Sequence, residues 1–407
     1  MEKEHLKIVI VGHVDHGKST LIGRLFFDTD SLPKEKIQEV RQACKELGKE
    51  MEFAYLMDHL QEEREQGITI DTAQTFFKTD KRQYVIIDAP GHKEFIKNMV
   101  TGASQAEVAI LIVDANEGVK EQTKRHSYIL GLLGLKQVMV VVNKMDLVGF
   151  SEEKFNSIKV ELNEFLKSLG IKPNHVIPIS AKNGDNIAIK SKNMDWYSGL
   201  TVLTALDSFS IPKKQTEKDF RYPIQGVFKV DDKRILMGRI ESGRVQKGMS
   251  ISFLPSGKDS KVKSVEVFLQ ARDSAQAGES IGITIEDPLF IERGEVCCAG
   301  SMPPVKSSVK ASLFWMSPRA FNGEKLVFRC ATQEVPCNIK IRKRINSSTL
   351  ELIEENALEL KEHEAGEVLI ETEKPVVVEE FNRLPELGRF VLVRGYEIVA
   401  GGIILAD

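Results

Sequence analysis

A nearly unbroken apolar run, Leu6-Lys7-Ile8-Val9-Ile10-Val11, leads straight into Gly12-His13-Val14-Asp15-His16-Gly17-Lys18-Ser19, and helical spacing takes over at Thr20-Leu21-Ile22-Gly23-Arg24-Leu25. The middle segment fits G-x-x-x-x-G-K-[ST], the phosphate-cradling P-loop. Few folds accommodate a strand, a glycine-bracketed turn and a helix in immediate succession. A strand that is apolar at almost every position belongs to a parallel sheet covered on both faces. The helix that follows opens with unpaired N–H groups at the positive end of its dipole, so the turn forms an anion cradle. Gly12, His13, Val14, Asp15, His16, Gly17, Lys18, Ser19 and Thr20 are therefore read as the residues around bound phosphates. Lys18 would reach the β- and γ-phosphates and Ser19 would hold Mg²⁺. Asp15 is read as bracing the loop or holding a monovalent cation.

Residues 84–87, 108–113 and 138–142 are three more apolar runs, each followed by a segment with helical periodicity: 94–101, 121–133 and 151–169. This alternation predicts an α/β P-loop domain with a doubly wound, mostly parallel sheet over residues 1–211. Residues 33–47 are charged and amphipathic and read as an inserted helix with Gly48 as its stop signal. Ile211-Pro212-Lys213-Lys214-Gln215-Thr216-Glu217-Lys218 reads as a polar linker. Beyond Phe220, short β-rich runs alternate with turn signals at Glu241-Ser242-Gly243, Gln246-Lys247-Gly248, Pro255-Ser256-Gly257 and Ala277-Gly278. They predict two small antiparallel β-barrels, over residues 219–304 and 305–407, with Ser301-Met302-Pro303-Pro304 closing the first.

The net charge of −3 shows no basic excess that would advertise nucleic acid, and it leaves room for a local basic patch. No apolar stretch approaches the roughly 20 residues of a membrane span, and Met1-Glu2-Lys3-Glu4-His5 lacks the apolar core of a secretion signal. Cys44, Cys297, Cys298, Cys330 and Cys337 show no paired C-x-x-C spacing and are read as thiols of a reducing cytoplasm.

Three further segments bear on which nucleotide binds. Asp88-Ala89-Pro90-Gly91 follows one apolar run; Asp88 suits the Mg²⁺ shell and the Gly91 N–H suits the γ-phosphate. Asn143-Lys144-Met145-Asp146 follows another, and the Asp146 carboxylate can accept from both the N1–H and the 2-amino group of guanine, a donor pair that adenine lacks. Ser180-Ala181-Lys182 follows a fourth strand-like run and would set a backbone N–H near the guanine O6. Gln66-Gly67-Ile68-Thr69-Ile70 reads as a switch in which Thr69 binds Mg²⁺ and senses the γ-phosphate. The expected ligands are GTP, GDP and Mg²⁺.

Gly12 to Thr20, Arg64-Glu65-Gln66-Gly67-Ile68-Thr69-Ile70 and Asp88-Ala89-Pro90-Gly91-His92 together resemble the translational GTPases of the elongation factor Tu class. The resemblance implies that His92 positions the attacking water, that Val14 and Ile68 screen it, and that Lys18 and Thr69 share the catalytic work. Within the class, one branch delivers aminoacyl-tRNA to ribosomes. Another is the GTPase subunit of the heterodimeric sulfate adenylyltransferase. Glu121-Gln122-Thr123-Lys124-Arg125-His126-Ser127-Tyr128-Ile129, the stretch from Asp231 to Gly243, Leu254-Pro255-Ser256-Gly257-Lys258 and Gln276-Ala277-Gly278-Glu279-Ser280 look more like the second. That resemblance implies a GTP-hydrolysing subunit that drives adenylylsulfate formation by an adenylylating partner, in sulfate assimilation. Delivery of aminoacyl-tRNA is the alternative. Ser256-Gly257-Lys258-Asp259-Ser260 superficially matches an adenylylation loop but reads as a hairpin turn.

Overall fold

The computed structural model describes residues 5–13, 15–32, 74–87, 106–135, 137–210, 215–230, 233–267 and 270–406, with Glu35, Ile37, Gln38, Gln42 and Phe53. The chain divides into two compact units, Met1–Ile211 and Pro212–Asp407.

The first unit contains strands β1 (His5–Gly12), β2 (Gln74–Lys78), β3 (Gln83–Ile87), β4 (Val108–Asp114), β5 (Gln137–Asn143) and β6 (His175–Pro178). They form one sheet in the order β2-β3-β1-β4-β5-β6. β2 runs antiparallel to β3, and all other neighbours are parallel. All seven side chains of β4 are buried. Successive strand residues face opposite ways, so both faces of the sheet must be covered. Ile8, Ile10, Ile110, Ile112, Met139 and Val141 share one core cluster with Leu21 and Leu25 of α1 (Lys18–Asp28). α2 (Glu121–Leu132) packs against β4 and β1. Ser151 caps α3 (Glu152–Ser168) by accepting the Lys154 N–H, and Phe155, Ile158, Leu162 and Leu166 form its buried stripe. α4 (Val202–Ser208) completes the described helices of this unit. Of the expected inserted helix, Glu35, Ile37, Gln38 and Gln42 are described, and all four are helical. The helix expected at residues 94–101 lies outside the described residues.

Because β1 lies between β3 and β4, successive parallel connections leave it in opposite directions. The carboxyl end of β1 is thus a switch point, where an open α/β sheet leaves a crevice. The loops after β1, β5 and β6 all emerge at that end.

The second unit holds two closed antiparallel barrels. In the first, β7 (Phe220–Val230), β8 (Lys233–Arg239), β9 (Arg244–Gln246), β10 (Ser250–Leu254), β11 (Lys258–Val267), β12 (Gln270–Arg272), β13 (Ser274–Gln276), β14 (Ser280–Ile285) and β15 (Val296–Ala299) follow in turn. The ring runs β10-β15-β7-β8-β14-β11 and returns to β10. Gly243, Gly248, Gly257 and Gly278 have φ values of 78°, 81°, 70° and 91°, as the turn signals require. Tyr222 is fully buried in this barrel, and its hydroxyl donates to the carbonyls of Leu236 and Ile281 at 2.8 and 2.7 Å.

The second barrel contains β16 (Val305–Trp315), β17 (Leu326–Cys330), β18 (Gln333–Asn346), β19 (Leu352–Glu355), β20 (Glu364–Val377), β21 (Arg389–Arg394) and β22 (Glu397–Ile404), with the short α5 (Pro385–Gly388). Its ring is β17-β21-β22-β16-β20-β18, closed by β17 on β18. Val296 and Cys298 of the first barrel share an apolar cluster with Val377, Leu384 and Leu387 of the second. Beside that cluster, Arg221 and Glu379 form an ion pair at 3.1 Å, with side chains 2% and 3% exposed. Cys297, Cys298, Cys330 and Cys337 are buried and free, and Cys44 lies outside the described residues. Among the described residues, no helix is long and apolar enough to cross a membrane.

Candidate nucleotide site

β1 delivers Gly12 against β4. A Cβ at Gly12 would lie 2.5 Å from the Ile112 carbonyl oxygen, so a larger residue would push the loop off the sheet. The backbone then turns through left-handed conformations at Asp15 (φ 64°) and Gly17 (φ 90°) before α1 begins at Lys18. Lys18 Nζ donates to the carbonyls of Gly12 and His13 at 2.7 and 2.8 Å, so its ammonium lies folded over the loop. Ser19 is exposed on the first helical turn and Thr20 is half-buried behind it. The His16 ring is fully buried, with Nδ1 at 3.4 Å from the Ile112 carbonyl and Nε2 at 3.7 Å from Glu117 Oε2. Burial holds this imidazole below its ordinary pKa, against the opposing pull of the Ile112 carbonyl and the nearby carboxylates. The His13 ring meets it edge-on at 5.1 Å.

Asn143 ends β5 and is 2% exposed. Its Nδ2 donates to the His16 carbonyl at 2.9 Å, and its Oδ1 accepts the Ala181 N–H at 2.9 Å. One amide side chain therefore ties the P-loop to the loop after β6. Gly17 is shaped to the same contact, since a Cβ there would lie 2.3 Å from Asn143 Nδ2. Lys144 has φ 61°, and Asp146 sits half-buried in the short 3-10 turn Met145–Val148. Ser180 is buried; its hydroxyl accepts the Asn183 N–H at 3.3 Å and its carbonyl accepts the Gly184 N–H at 2.7 Å. Ala181 is buried and Lys182 exposed.

Gly12, His13, Asp15, His16, Gly17, Lys18, Ser19 and Thr20 thus stand at one sheet end with Asn143, Lys144, Asp146, Ser180, Ala181 and Lys182. Val14, Ile68, Thr69, Asp88, Gly91 and His92 lie outside the described residues. Two residues absent from the sequence-derived set belong to this sheet end. Asp114 Oδ2 pairs with Lys144 Nζ at 2.8 Å, and Glu117 faces His16. The signal that could have found them is the one that found the others: polar residues, Asp114, Asn116 and Glu117, where the apolar run 108–113 of a parallel strand ends.

The profile of the Elongation factor Tu GTP binding domain matches residues 3–212. That of Elongation factor Tu domain 2 matches 233–298, and that of the GTP-eEF1A C-terminal domain-like family matches 308–405. Elongation factor 1-alpha of Methanoculleus marisnigri is 39% identical over 414 residues, spanning 99% of this chain and 97% of its own. The Pyrococcus furiosus protein of that name is 39% identical over 420 residues, spanning 99% of this chain and 98% of its own. That of Methanopyrus kandleri is 40% identical over 422 residues, spanning 99% and 97%.

These relatives overturn the likeness to the sulfate adenylyltransferase GTPase subunit, and with it the adenylylating partner and the place in sulfate assimilation. Of the four misleading segments, Glu121 to Ile129 belongs to α2 and the stretch from Asp231 to Gly243 contains β8, whereas the other two lie in turns. Leu254 to Lys258 is the β10–β11 hairpin, where a Cβ on Gly257 would meet nothing within 4 Å. Gln276 to Ser280 is the turn into β14, and Gly278 is equally open. Such positions answer to turn geometry and solvent, so likeness there discriminates poorly. Residues 256–260 are the expected hairpin turn and strand.

Proposed function

The chain belongs to the family of elongation factor 1-alpha, whose nucleotide domain is the GTP-binding domain of elongation factor Tu, and from that premise we propose that it is a GTPase that delivers aminoacyl-tRNA to the ribosome in the cytoplasm. Similarity to elongation factors along all three segments of the chain carries this reading. It replaces the adenylylating subunit as the expected partner with tRNA and the ribosome, the partners that the sequence alone reserves for the alternative. A net charge of −3 averages the whole surface and says nothing about one face.

In this reading, Asp146 accepts the guanine N1–H and 2-amino group, and the loop Ser180-Ala181-Lys182 sets a backbone N–H near O6. Amides of the P-loop and the Lys18 ammonium oppose the charge that develops on the γ-phosphoryl oxygens during in-line attack by water. Two of the three Lys18 ammonium N–H groups are held by the Gly12 and His13 carbonyls, which keeps the charge over the loop. His92 positions the water behind Val14 and Ile68, while Gly91 and Thr69 sense the γ-phosphate. Ser19 presents an exposed hydroxyl on the first turn of α1. Together with the Thr69 hydroxyl and the Asp88 carboxylate it would offer an all-oxygen donor set of the kind that suits a hard divalent ion. Ser19, Thr69 and Asp88 would hold Mg²⁺ there, and it would supply neutralisation of phosphate charge.

The test is binding of aminoacyl-tRNA by the full chain loaded with a non-hydrolysable GTP analogue or with GDP. Binding should favour the GTP form and weaken steeply with salt, because phosphates dominate such contacts. Equal binding in the two nucleotide states would overturn the proposal, since a ligand that does not distinguish two states cannot be released by switching between them.

A further inference from the structure

We propose that Asp114 is a positioning residue for guanine recognition, acting through Lys144. The inference rests on the reading of this sheet end as a guanine-nucleotide site. Asp114 closes the wholly buried strand β4, and its side chain is 3% exposed. Burial by itself would raise its carboxyl pKa, yet the hydrogen bond from Lys144 and the N–H groups of Asn116 and Glu117 hold it below the usual carboxylate range. It is therefore an ionised, fully engaged anchor. Oδ2 takes the Lys144 ammonium at 2.8 Å, and Oδ1 takes the Asn116 and Glu117 N–H groups at 2.7 and 3.3 Å.

Lys144 needs such an anchor. Its backbone is left-handed, a conformation uncommon for a residue with a Cβ, and it lies between Asn143 and the turn that carries Asp146. The Ala115 N–H also donates to the Asn143 carbonyl at 2.8 Å, so the loop after β4 is stitched to the loop after β5 by backbone as well as by charge. With the ammonium held on Asp114, the four-carbon stem of Lys144 is fixed in direction and 30% of the side chain remains exposed. A fixed apolar stem beside Asp146 makes a wall for a flat base. The same loop reaches the phosphate side, where Glu117 faces His16. The segment Asp114 to Glu117 is thus a strut shared by both halves of the site.

The experiment is a double-mutant cycle on the full chain, read as GDP and GTP affinity and as the nucleotide dissociation rate. Asp114→Asn keeps the size and the Oδ1 acceptor but removes the charge that holds Lys144. It should weaken GDP and GTP alike by about tenfold, the scale of one charge-assisted hydrogen bond, mostly through faster dissociation. Lys144→Met keeps a stem and removes the ammonium. If Asp114 acts through Lys144, the double variant loses no more affinity than Lys144→Met alone. Additive losses would assign Asp114 a merely structural role and overturn the proposal, as would unchanged affinity in a folded Asp114→Asn variant. If Asp114→Asn does not fold, Asp114→Glu replaces it, because it keeps the charge but shifts it by one methylene; the same non-additivity is required. A wild-type chain that binds neither GDP nor GTP would remove the guanine reading itself, an outcome distinct from a wild type that binds and variants that behave additively.

Discussion

Asn143 offers the sharpest test of how the nucleotide site is assembled. Its amide spans two loops, donating to the His16 carbonyl and accepting the Ala181 N–H, both at 2.9 Å and both buried. Asn143→Ala removes both bonds and leaves a carbonyl and an N–H facing a small void. Each orphaned group costs about 1–3 kcal/mol. Taking roughly 3 kcal/mol for the pair, the ordered loop arrangement falls by about 150-fold relative to a loosened one. If only the ordered arrangement binds, the apparent affinity falls by about the same factor. The assay is displacement of a fluorescent GDP analogue from the full chain, which gives both the dissociation rate and the equilibrium constant. Asn143→Asp should be at least as damaging, because a carboxylate oxygen would then face the His16 carbonyl with no proton between them. An Asn143→Ala variant that folds normally and binds GDP within about threefold of wild type would refute the reasoning, because water or loop movement would then replace the amide at no cost.

Two further predictions concern the barrel unit. Glu379→Gln leaves the Arg221 guanidinium buried without a counter-charge, although the carbonyls of Phe220, Ala299 and Ser301 still accept from it; chemical unfolding of the full chain should show this unit losing about 3–5 kcal/mol, and a loss below about 1 kcal/mol would mean that those carbonyls suffice. Glu241 is pushed up to about 7 by burial, with Glu386 adding to the rise and Arg239 opposing it; a raised folded-state pKa means that its contribution to stability is complete below its ordinary value near 4.5 and is lost as pH rises through 7, so Glu241→Gln should raise the melting temperature of this unit at about pH 8 and flatten its pH dependence, and an unchanged slope would refute the assignment.

The parts of this protein that could be read from its sequence are those that a short stretch of backbone decides by itself. The succession from β1 through Gly12 and Gly17 into α1 is enforced locally: apolar residues at almost every strand position, left-handed φ at Gly17, and a helix that starts at Lys18. The barrel turns at Gly243, Gly248, Gly257 and Gly278 are legible for the same reason, because a positive φ selects glycine whatever lies elsewhere in the chain. Local signals also misled, since likeness in the Leu254 to Lys258 hairpin reflects the demands of a turn and not the branch of the family. What only the tertiary structure decided is which of these local pieces touch. Asn143 meets His16 across 127 residues, and Asp114 meets Lys144 from the neighbouring strand. No periodicity encodes those pairings. They follow from the strand order β1-β4-β5-β6, which gathers the loops after these parallel strands at one sheet end, so that Asp114 meets Lys144 from the next strand, Asn143 reaches past β4 to the loop after β1, and buried polar groups find partners there.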